Sequence, residues 1–311
     1  MIYTEEQLSR FCNPPAKYKT DQIISTHEKI RGLIEAGIDK EAFKKKFELA
    51  DYELNISLQG SYRNSTNVSN TSDVDLLVEF DSVYYYDTSS LPLEQVSKRE
   101  EDSNPSQFDF NVFKSLINII LEDEYSTKKI ERGNKSIKYI GDEKTPFADV
   151  VPCVLFRKYT HYHSASNNGF IEGIKFKCDD GAWISNYPKQ QYMNLSEKNL
   201  QSNSCFKSGV RMFKTLKENM IEVGVINENT IKSYHVENLL YNIDNTLYQG
   251  NNTDTFRAIL DRLIVDFNDN SIDKYKCSNG VEMLFADNIL NKGDYKTFLL
   301  GLSKIRDNNA F

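Results

Sequence analysis

The chain has 311 residues, of which 39% are hydrophobic and 27% charged, an ordinary composition for a globular protein with a substantial core. A formal net charge of −7 excludes a general basic field for duplex nucleic acid, so any phosphate-binding site must be local. Five cysteines without a CxxC pair argue against a disulfide framework and a zinc site. The lack of a signal pattern and of an apolar run of about 18 residues predicts a soluble, cytoplasmic protein without membrane contact.

The first half of the chain predicts a long helix followed by strands. Residues 20–50 carry apolar side chains at helical spacing and indicate one long amphipathic helix. Residues 74–80 and 147–156 are β-branched and apolar, which is typical of strands. The polar residues 84–107 between them predict a surface insertion, which leads into an apolar helix over residues 108–124. Two short strand-like stretches follow, "TKKIER" and "KSIKYI".

The second half changes to a helical pattern. Residues 170–186 indicate strand and turn, and Pro188 marks a break. Apolar residues then recur at intervals of three and four, which predicts helices. These segments lie at residues 208–223, 233–243, 253–267 and 293–305. We therefore expect a mixed-sheet part over residues 1–175 and a mainly helical lobe over residues 176–311, with a boundary good to about ten residues.

Two aspartates one residue apart open the strand at residues 74–80. Because successive side chains in a strand alternate between faces, Asp73 and Asp75 point the same way, while Val74 and Leu76 point into the core. Two carboxylates on one face repel each other unless a positive charge lies between them. A divalent cation supplies that charge, and hard oxygen ligands select Mg²⁺ or Mn²⁺. The pattern therefore predicts a metal site.

The loop before these acids has the composition of a phosphate-binding loop. Gly60 lets the backbone approach a phosphate closely, and Ser61 offers both an N–H and a hydroxyl donor. Thr66 and Ser72 add further donors. Asp149, in the apolar stretch "ADVVPC", is the best candidate for the third carboxylate of a two-metal site.

A purely structural interpretation of these residues is the alternative. An isolated Asp-X-Asp is common on surface strands, and Gly-Ser alone is a weaker signal still. The combination with a serine-rich loop, an apolar strand and a later strand acid is much rarer, and it favours a catalytic site. His161 and His163 lie two residues apart, but no cysteine or carboxylate has matching spacing, so we expect them in a loop and not at a metal.

The stretches "GSYRNSTNVSNTSDVDLLVEF" and "ADVVPC" resemble the polymerase-β-like nucleotidyltransferases. Within that superfamily the chain is most similar to the bacterial relatives of cyclic GMP–AMP synthase and oligoadenylate synthase, the CD-NTases, and especially to their clade E. The segments "SNYPKQQY" and "SYHVENLLYNI" also look like that clade. The resemblance runs from about residue 20 to the C-terminus and covers nearly the whole chain.

The resemblance implies an α+β fold: a nucleotidyltransferase core of mixed sheet and helices over residues 1–175, a helical C-terminal lobe over residues 176–311, and an active site in the cleft between them. It implies that Asp73 and Asp75 hold two metal ions and that Asp149 holds the ion that activates the acceptor hydroxyl.

The same resemblance implies a set of nucleotide-binding residues. Ser61 would contact the donor triphosphate, Lys214 would reach it from a helix, Ser233 would bond the phosphate tail and Tyr234 would stack on the base. Arg211 lies one helical turn before Lys214, so the two cations share a face and can balance phosphate charge. The alternatives are a solvated cationic face and a core tyrosine. The remaining members of the predicted set are Gln59, Gly60, Thr66 and Ser72.

The implied function is a cyclic dinucleotide synthase that joins two nucleoside triphosphates in sequential steps, uses two Mg²⁺ ions (Mn²⁺ possible) and releases pyrophosphate. In this family the product is a second messenger of anti-phage (CBASS) defence, read by a downstream receptor effector. We expect a monomer, and no activation by duplex DNA because no clustered His and Cys form a zinc ribbon. Uridine-containing and purine-only products both stay open. Two alternatives are a nucleotidyltransferase that modifies an RNA end, a protein or a small molecule, and a non-catalytic nucleotide-binding module.

Overall fold

The computed structural model describes residues 2–68, 74–126, 128–141, 145–286 and 289–307. The chain forms two compact units, each built from segments that are distant in sequence. The helical unit consists of Met1–Ala16, Ser61–Ser72 and Lys189–Phe311, and the sheet unit consists of Lys17–Gly60 and Asp73–Pro188. The predicted α+β class is confirmed, and the predicted division at residues 175 and 176 stays a prediction about domains.

The sheet unit contains a mixed sheet. Its strands are β1 (Leu54–Leu58), β2 (Val74–Asp87), β3 (Ile130–Arg132), β4 (Ile137–Tyr139), β5 (Ala148–Ser164), β6 (Asn167–Lys177) and β7 (Trp183–Asn186). The strand order is β1-β2-β5-β4-β3, with β6 on β5 and β7 on β6. Strands β2 and β5 are parallel, and the other pairs are antiparallel. The first three residues of β5 pair with β4 and its later part pairs with β6.

Helices are described in both units. They are α1 (Glu5–Phe11), α2 (Lys17–Gly37), α3 (Lys40–Phe47), α4 (Gly60–Asn64), α5 (Leu93–Glu101), α6 (Phe110–Tyr125), α7 (Pro188–Gln201), α8 (Phe206–Glu222), α9 (Ser233–Tyr241), α10 (Asn252–Asn268) and α11 (Lys292–Asp307). None of the helices in the described ranges has the length and apolar character that a membrane span requires.

The single long helix predicted over residues 20–50 is wrong, because two helices occupy this segment. Helix α2 ends at Gly37, and α3 begins after Asp39. The Asp39 carboxylate accepts hydrogen bonds from the backbone N–H groups of Glu41 and Ala42 at 3.1 and 3.0 Å. An aspartate in this position satisfies N–H groups that have no partner within the helix, so it starts a new helix. Continuous apolar spacing across the break concealed it from the sequence pattern.

The prediction of a surface insertion over residues 84–107 is also wrong at its start. Strand β2 continues to Asp87 through an irregularity of register between Phe80 and Tyr84. Helix α5 follows, and its Arg99 is buried among tyrosines of β2 and β5. The guanidinium donates to the hydroxyls of Tyr84 at 2.8 Å and Tyr159 at 3.2 Å. Charged residues around Arg99 in the sequence made this segment look solvated throughout.

Strand β5 is longer than the predicted strand over residues 147–156. It continues to Ser164, so His161 and His163 lie on a strand and not in a loop, which corrects that prediction. Both side chains are exposed, and their ring centroids are 5.9 Å apart. Polar side chains on the exposed part of a paired strand break the apolar run that the sequence pattern relied on.

Each unit has its own hydrophobic core. In the sheet unit, the Phe80 ring of β2 stacks on the Phe108 ring, with the ring centroids 4.9 Å apart. Its centroid also lies 5.4 Å from that of Phe43 of α3 and 5.7 Å from that of Phe113 of α6. In the helical unit, the predicted helices of the second half are confirmed as α8 to α11, and Leu8 of α1 is buried in the same core. Burial of each such side chain contributes roughly 1.5–3 kcal/mol.

Candidate active site

Asp75 and Asp149 are direct neighbours in the sheet. They are Cα partners in the parallel pairing of β2 and β5, in a register that runs from Val74 and Ala148 onward. Neighbouring strands lie about 4.8 Å apart, and in-register residues of adjacent strands point to the same face. Both aspartates are partly exposed, whereas Val74 and Leu76 are buried. The structure thus brings two of the three predicted carboxylates together.

The third predicted carboxylate, Asp73, and the predicted donor Ser72 lie outside the described residues. Within the described ranges, no three His, Cys, Asp or Glu side chains form a group that could hold a metal ion. The two described carboxylates fit a divalent cation, because they supply hard oxygen donors side by side on one face. Their role as metal ligands stays a prediction.

The Gly-Ser turn is seated against the Asp75 carboxylate. Gly60 has φ +68°, and a Cβ atom at this position would lie 2.2 Å from Asp75 Oδ2. The backbone N–H of Gln59 donates to the carbonyl oxygen of Asp75 at 2.9 Å. Both the positive φ and the close approach require glycine. At Gly60 the Asp75 carboxylate occupies the space of a side chain, a contact that the sequence did not predict, and the predicted approach of this glycine to a phosphate stays a prediction.

The Asp149 carboxylate is oriented by a serine that the sequence interpretation missed. Ser136 lies between β3 and β4, is buried, and donates its hydroxyl hydrogen bond to Asp149 Oδ1 at 2.9 Å. The sequence gives no signal for this contact, since it follows from the pairing of Lys138 on β4 with Asp149 on β5.

The hairpin that carries Ser136 is fixed by an ionic network. Lys114 of α6 is buried, and its Nζ donates to Asn134 O at 3.1 Å and Asp179 Oδ1 at 2.7 Å. Arg132 of β3 donates to the other carboxylate oxygen of Asp179 at 2.8 Å. The hydrogen bond from Arg132, followed by that from Lys114, lowers the pKa of Asp179. The Asp179 carboxylate therefore stays ionised at neutral pH, and its ion pairs with Lys114 and Arg132 anchor the hairpin.

Several predicted nucleotide-binding residues lie together in the helical unit. Ser61 is in α4, and its carbonyl oxygen accepts a hydrogen bond from the N–H of Thr66 at 2.9 Å. Thr66 is fully buried, so its hydroxyl faces the protein interior. Lys214 of α8 donates to the Thr66 carbonyl and hydroxyl oxygens, both at 3.2 Å. Lys214 and Thr66 thus contact each other directly.

Lys214 is paired with a carboxylate inside the helical unit. Its Nζ lies 3.0 Å from Glu237 Oε2, and both side chains expose only 3% of their surface. Its predicted contact with a triphosphate stays untested. Arg211, one turn earlier, donates to the carbonyl oxygens of Cys12 at 2.6 Å and Ser65 at 2.7 Å. Burial lowers the pKa of Arg211. In this structure both cations hold the backbone of the segment that follows Gly60.

Ser233 and Tyr234 begin α9, where a helix favours negative charge. The Ser233 hydroxyl accepts a hydrogen bond from Lys217 Nζ at 2.9 Å. Lys217 was not predicted, although it lies three residues after Lys214 on the same helix. Tyr234 as a whole residue exposes 39% of its surface. Desolvation, and then interaction with Cys277, raises the pKa of its phenol far above the usual value.

The paired strand carboxylates, the glycine turn and the mixed sheet are features of a nucleotidyltransferase. Residues 40–175 match the family model described as "Nucleotidyltransferase domain". Residues 193–306 match the model described as "cGAS/DncV-like nucleotidyltransferase C-terminal helical domain". The chain is therefore a nucleotidyltransferase enzyme.

Comparison with similar proteins identifies the family within the nucleotidyltransferases. It is 34% identical to a "Cyclic UMP-AMP synthase" of Rhodothermus marinus over 288 residues, 92% of this chain and 91% of the relative. It is 30% identical to a "Cyclic dipurine nucleotide synthase" of Elizabethkingia meningoseptica over 272 residues, 87% of each chain. The structure of Rhodothermus marinus CdnE with Apcpp and Upnpp matches with a TM-score of 0.82 and 31% identity, covering 99% of this chain and 98% of that one. The chain belongs to the CD-NTases, the cGAS/DncV-like nucleotidyltransferases, and within them to clade E.

Proposed function

We propose that this enzyme is a cyclic dinucleotide synthase. The observation that supports this proposal most strongly is that Asp75 and Asp149 are paired on adjacent parallel strands, with Gly60 against the Asp75 carboxylate. In each of two steps, a ribose hydroxyl oxygen forms a bond to the α-phosphorus of a nucleoside triphosphate. The bond from that phosphorus to the β-phosphate bridging oxygen breaks, pyrophosphate leaves, and the hydroxyl proton passes to solvent. The second step joins the remaining ends and closes the ring.

Asp75 and Asp149, together with Asp73, are proposed to hold two Mg²⁺ ions, with Mn²⁺ as a substitute. When bound, such ions lower the pKa of a coordinated hydroxyl and neutralise charge on the phosphates. The chain's own contribution is positioning, which accounts for much of the rate of such displacements. Ser136 fixes the orientation of the Asp149 carboxylate, and Gly60 leaves room for that of Asp75.

The proposed nucleotide contacts come from the turn and from the start of α9. Ser61 would donate to the triphosphate, with Gln59 and Ser72 nearby in the chain. Ser233 would bind the phosphate tail next to Lys217, whose Nζ donates to the Ser233 hydroxyl and also pairs with Glu218 at 2.7 Å. Tyr234 would stack on a base, an interaction worth roughly 1–3 kcal/mol. The partial exposure of Tyr234 supports this assignment.

The biological role is proposed from the relatives' names and from the family resemblance. The product would be a second messenger of anti-phage (CBASS) defence, made in the cytoplasm by a monomer and bound by a receptor effector. Free cysteines at all five positions accord with a reducing compartment. The two relatives named above are described as making products with different bases, one uridine with adenosine and one two purines. The two bases in this enzyme's product are therefore to be measured.

The test is incubation of the purified protein with α-radiolabelled nucleoside triphosphates and Mg²⁺ alone. We expect a small phosphatase-resistant product, identified by mass spectrometry, and none from Asp75→Asn or Asp149→Asn variants that fold normally. Turnover in either variant would refute the proposed metal role. Failure of the wild type to form product without an added RNA, protein or small-molecule acceptor would favour the alternative nucleotidyltransferase activities.

A further inference from the structure

Glu237 of α9 lies at the centre of a closed hydrogen-bond network. The residue exposes only 2% of its surface. Its Oε1 accepts from Asn64 Nδ2 at 3.0 Å and from Gln191 Nε2 at 3.1 Å. Its Oε2 accepts from Lys214 Nζ at 3.0 Å and from the Thr66 hydroxyl. Each carboxylate oxygen thus has two donors, and all the partners belong to the helical unit.

A buried carboxylate is not an efficient way to stabilise a fold. Desolvation of an ion pair costs several kcal/mol, and apolar residues of similar volume often give equal or higher stability. The Glu237 network repays that cost only because both charges and every carboxylate oxygen are satisfied. What it provides instead is a fixed arrangement of donors that come from separate segments. Two of those donors, Asn64 and Thr66, belong to the segment that directly follows Gly60.

This segment, Ser61–Thr66, is held at several further points. Thr66 N–H donates to Ser61 O at 2.9 Å, which links the end of the segment to the serine proposed to bind triphosphate. Ser65 has φ +57°, a left-handed conformation that costs energy for a residue other than glycine. Arg211 donates to the Ser65 carbonyl oxygen at 2.7 Å. A strained backbone persists only when its surroundings fix it, and Glu237 supplies two of the fixing contacts.

We propose that Glu237 is a positioning residue that holds the segment Ser61–Thr66 in its nucleotide-binding conformation. The proposal rests on the function proposed above. Glu237 acts through Asn64 and Thr66 on the segment that carries Ser61, and touches no substrate itself. The competing role would be masking: Glu237 would withhold the Lys214 charge from a triphosphate. The two roles predict opposite changes in nucleotide affinity when the carboxylate is neutralised.

The test variant is Glu237→Gln, which keeps the shape and removes the charge. Its new amide would face donors that need an acceptor, so the segment loses its anchor. We expect the KM for nucleoside triphosphates to rise about tenfold, the loss typical of one hydrogen bond to a charged group, while kcat changes less. An unchanged or lowered KM would overturn the proposal, and a lowered KM would establish masking.

Asp266→Asn is the matched control. Asp266 is a buried carboxylate of the same unit, paired with Arg262 at 2.8 Å and accepting from Tyr275 Oη at 2.6 Å. Both variants should unfold at lower urea concentration than the wild type. We expect only Glu237→Gln to change the nucleotide KM. Equal KM values for the two variants, measured on the folded fraction, would reduce Glu237 to a general structural role.

A milder variant covers the case in which Glu237→Gln fails to fold. Gln191→Leu removes one donor to Glu237 from α7 and leaves the segment and Lys214 intact. The expected KM rise is about threefold, in the same direction. An unchanged KM in this variant, with a normal unfolding curve, would contradict the proposal.

A binding measurement separates this inference from the proposed function. Wild type and Glu237→Gln are titrated calorimetrically with ATP, CTP, GTP and UTP in Ca²⁺, without a product readout. Weaker binding by the variant supports the positioning role even if the wild type forms no cyclic product in Mg²⁺, which is the result that would refute the synthase. Equal or tighter binding overturns the positioning role whatever the product.

Discussion

At the scale of single residues, the site depends on what occupies the space around two carboxylates. Asp75 lies against Gly60, and Asp149 is held by the Ser136 hydroxyl. Neither contact involves a bulky or charged neighbour, so small changes at either position act directly on carboxylate geometry. Displacements of about 1 Å can cost about a hundredfold in rate when catalysis relies on positioning.

Gly60→Ala should separate catalysis from stability. A Cβ atom at residue 60 would lie 2.2 Å from Asp75 Oδ2, so the carboxylate must move, and we expect product formation to fall at least about a hundredfold. Gly224→Ala is the control, since Gly224 has φ +73° but no atom within 4 Å of its added Cβ. Both variants should lose about 1–2 kcal/mol of unfolding free energy in urea titrations. A comparable loss of activity in Gly224→Ala would show that backbone strain alone explains the effect.

Ser136→Ala should weaken metal use more than folding. Partners that orient a metal-binding carboxylate typically contribute about 10–100-fold in affinity or activity. We therefore expect the Mg²⁺ concentration for half-maximal product formation to rise about tenfold. Ser82→Ala is the control. It also removes a serine hydrogen bond of the sheet unit, which the Ser82 hydroxyl accepts from the Glu53 N–H at 2.8 Å, and it should leave the Mg²⁺ requirement unchanged. The same Mg²⁺ curve in Ser136→Ala and wild type would exclude this positioning role.

At the scale of elements, local sequence patterns predicted the type of most segments but not their ends. The β-branched, apolar composition of residues 74–80 in β2 and the helical spacing of α8 to α11 are local properties, and both predictions hold. The break between α2 and α3, and the extension of β2 to Asp87, depend on capping and on packing of distant residues. Helix α5 lies in the segment predicted to be a surface insertion, and its buried Arg99 contacts Tyr159, 60 positions along the chain.

Arg99→Met should destabilise α5 against the sheet. The Arg99 guanidinium donates to the hydroxyls of Tyr84 and Tyr159. Its central carbon, Cζ, lies 4.2 Å from the centroid of the Tyr86 ring. Losing a desolvated cation–π contact and these hydrogen bonds should cost about 2–4 kcal/mol of unfolding free energy. Lys98→Ala, at the adjacent exposed position, should change it by less than about 0.5 kcal/mol. Urea unfolding and amide exchange of α5 measure both, and equal stability of the two variants would contradict the assigned role of Arg99.

At the scale of the whole molecule, the chain passes repeatedly between two units. The segment Ser61–Ser72 belongs to the helical unit, although β1 before it and β2 after it belong to the sheet unit. The net charge of −7 makes the approach of an anionic substrate dependent on local cations and metal ions. Family membership extends over 92% of the chain, so it is a property of both units.

Mixing two inactive variants should not restore activity. Asp75 and Asp149 lie on adjacent strands of one sheet in a single chain, so each site needs both carboxylates from the same molecule. We expect no product from an equimolar mixture of Asp75→Asn and Asp149→Asn, and a wild-type specific activity that does not depend on enzyme concentration. Recovery of activity in the mixture would indicate a site shared between chains and contradict the proposed monomer.

The sequence by itself determined the class of the protein and the chemical nature of its candidate site. Acids on strands and a Gly-Ser turn are local patterns, because each of them follows from the residues next to it in the sequence. Only the tertiary structure decided that Asp149 stands opposite Asp75, that Ser136 orients it, and that Glu237 gathers Asn64, Thr66, Gln191 and Lys214. These contacts join residues up to 173 positions apart, and such pairings follow from strand register and helix packing, which no local pattern encodes.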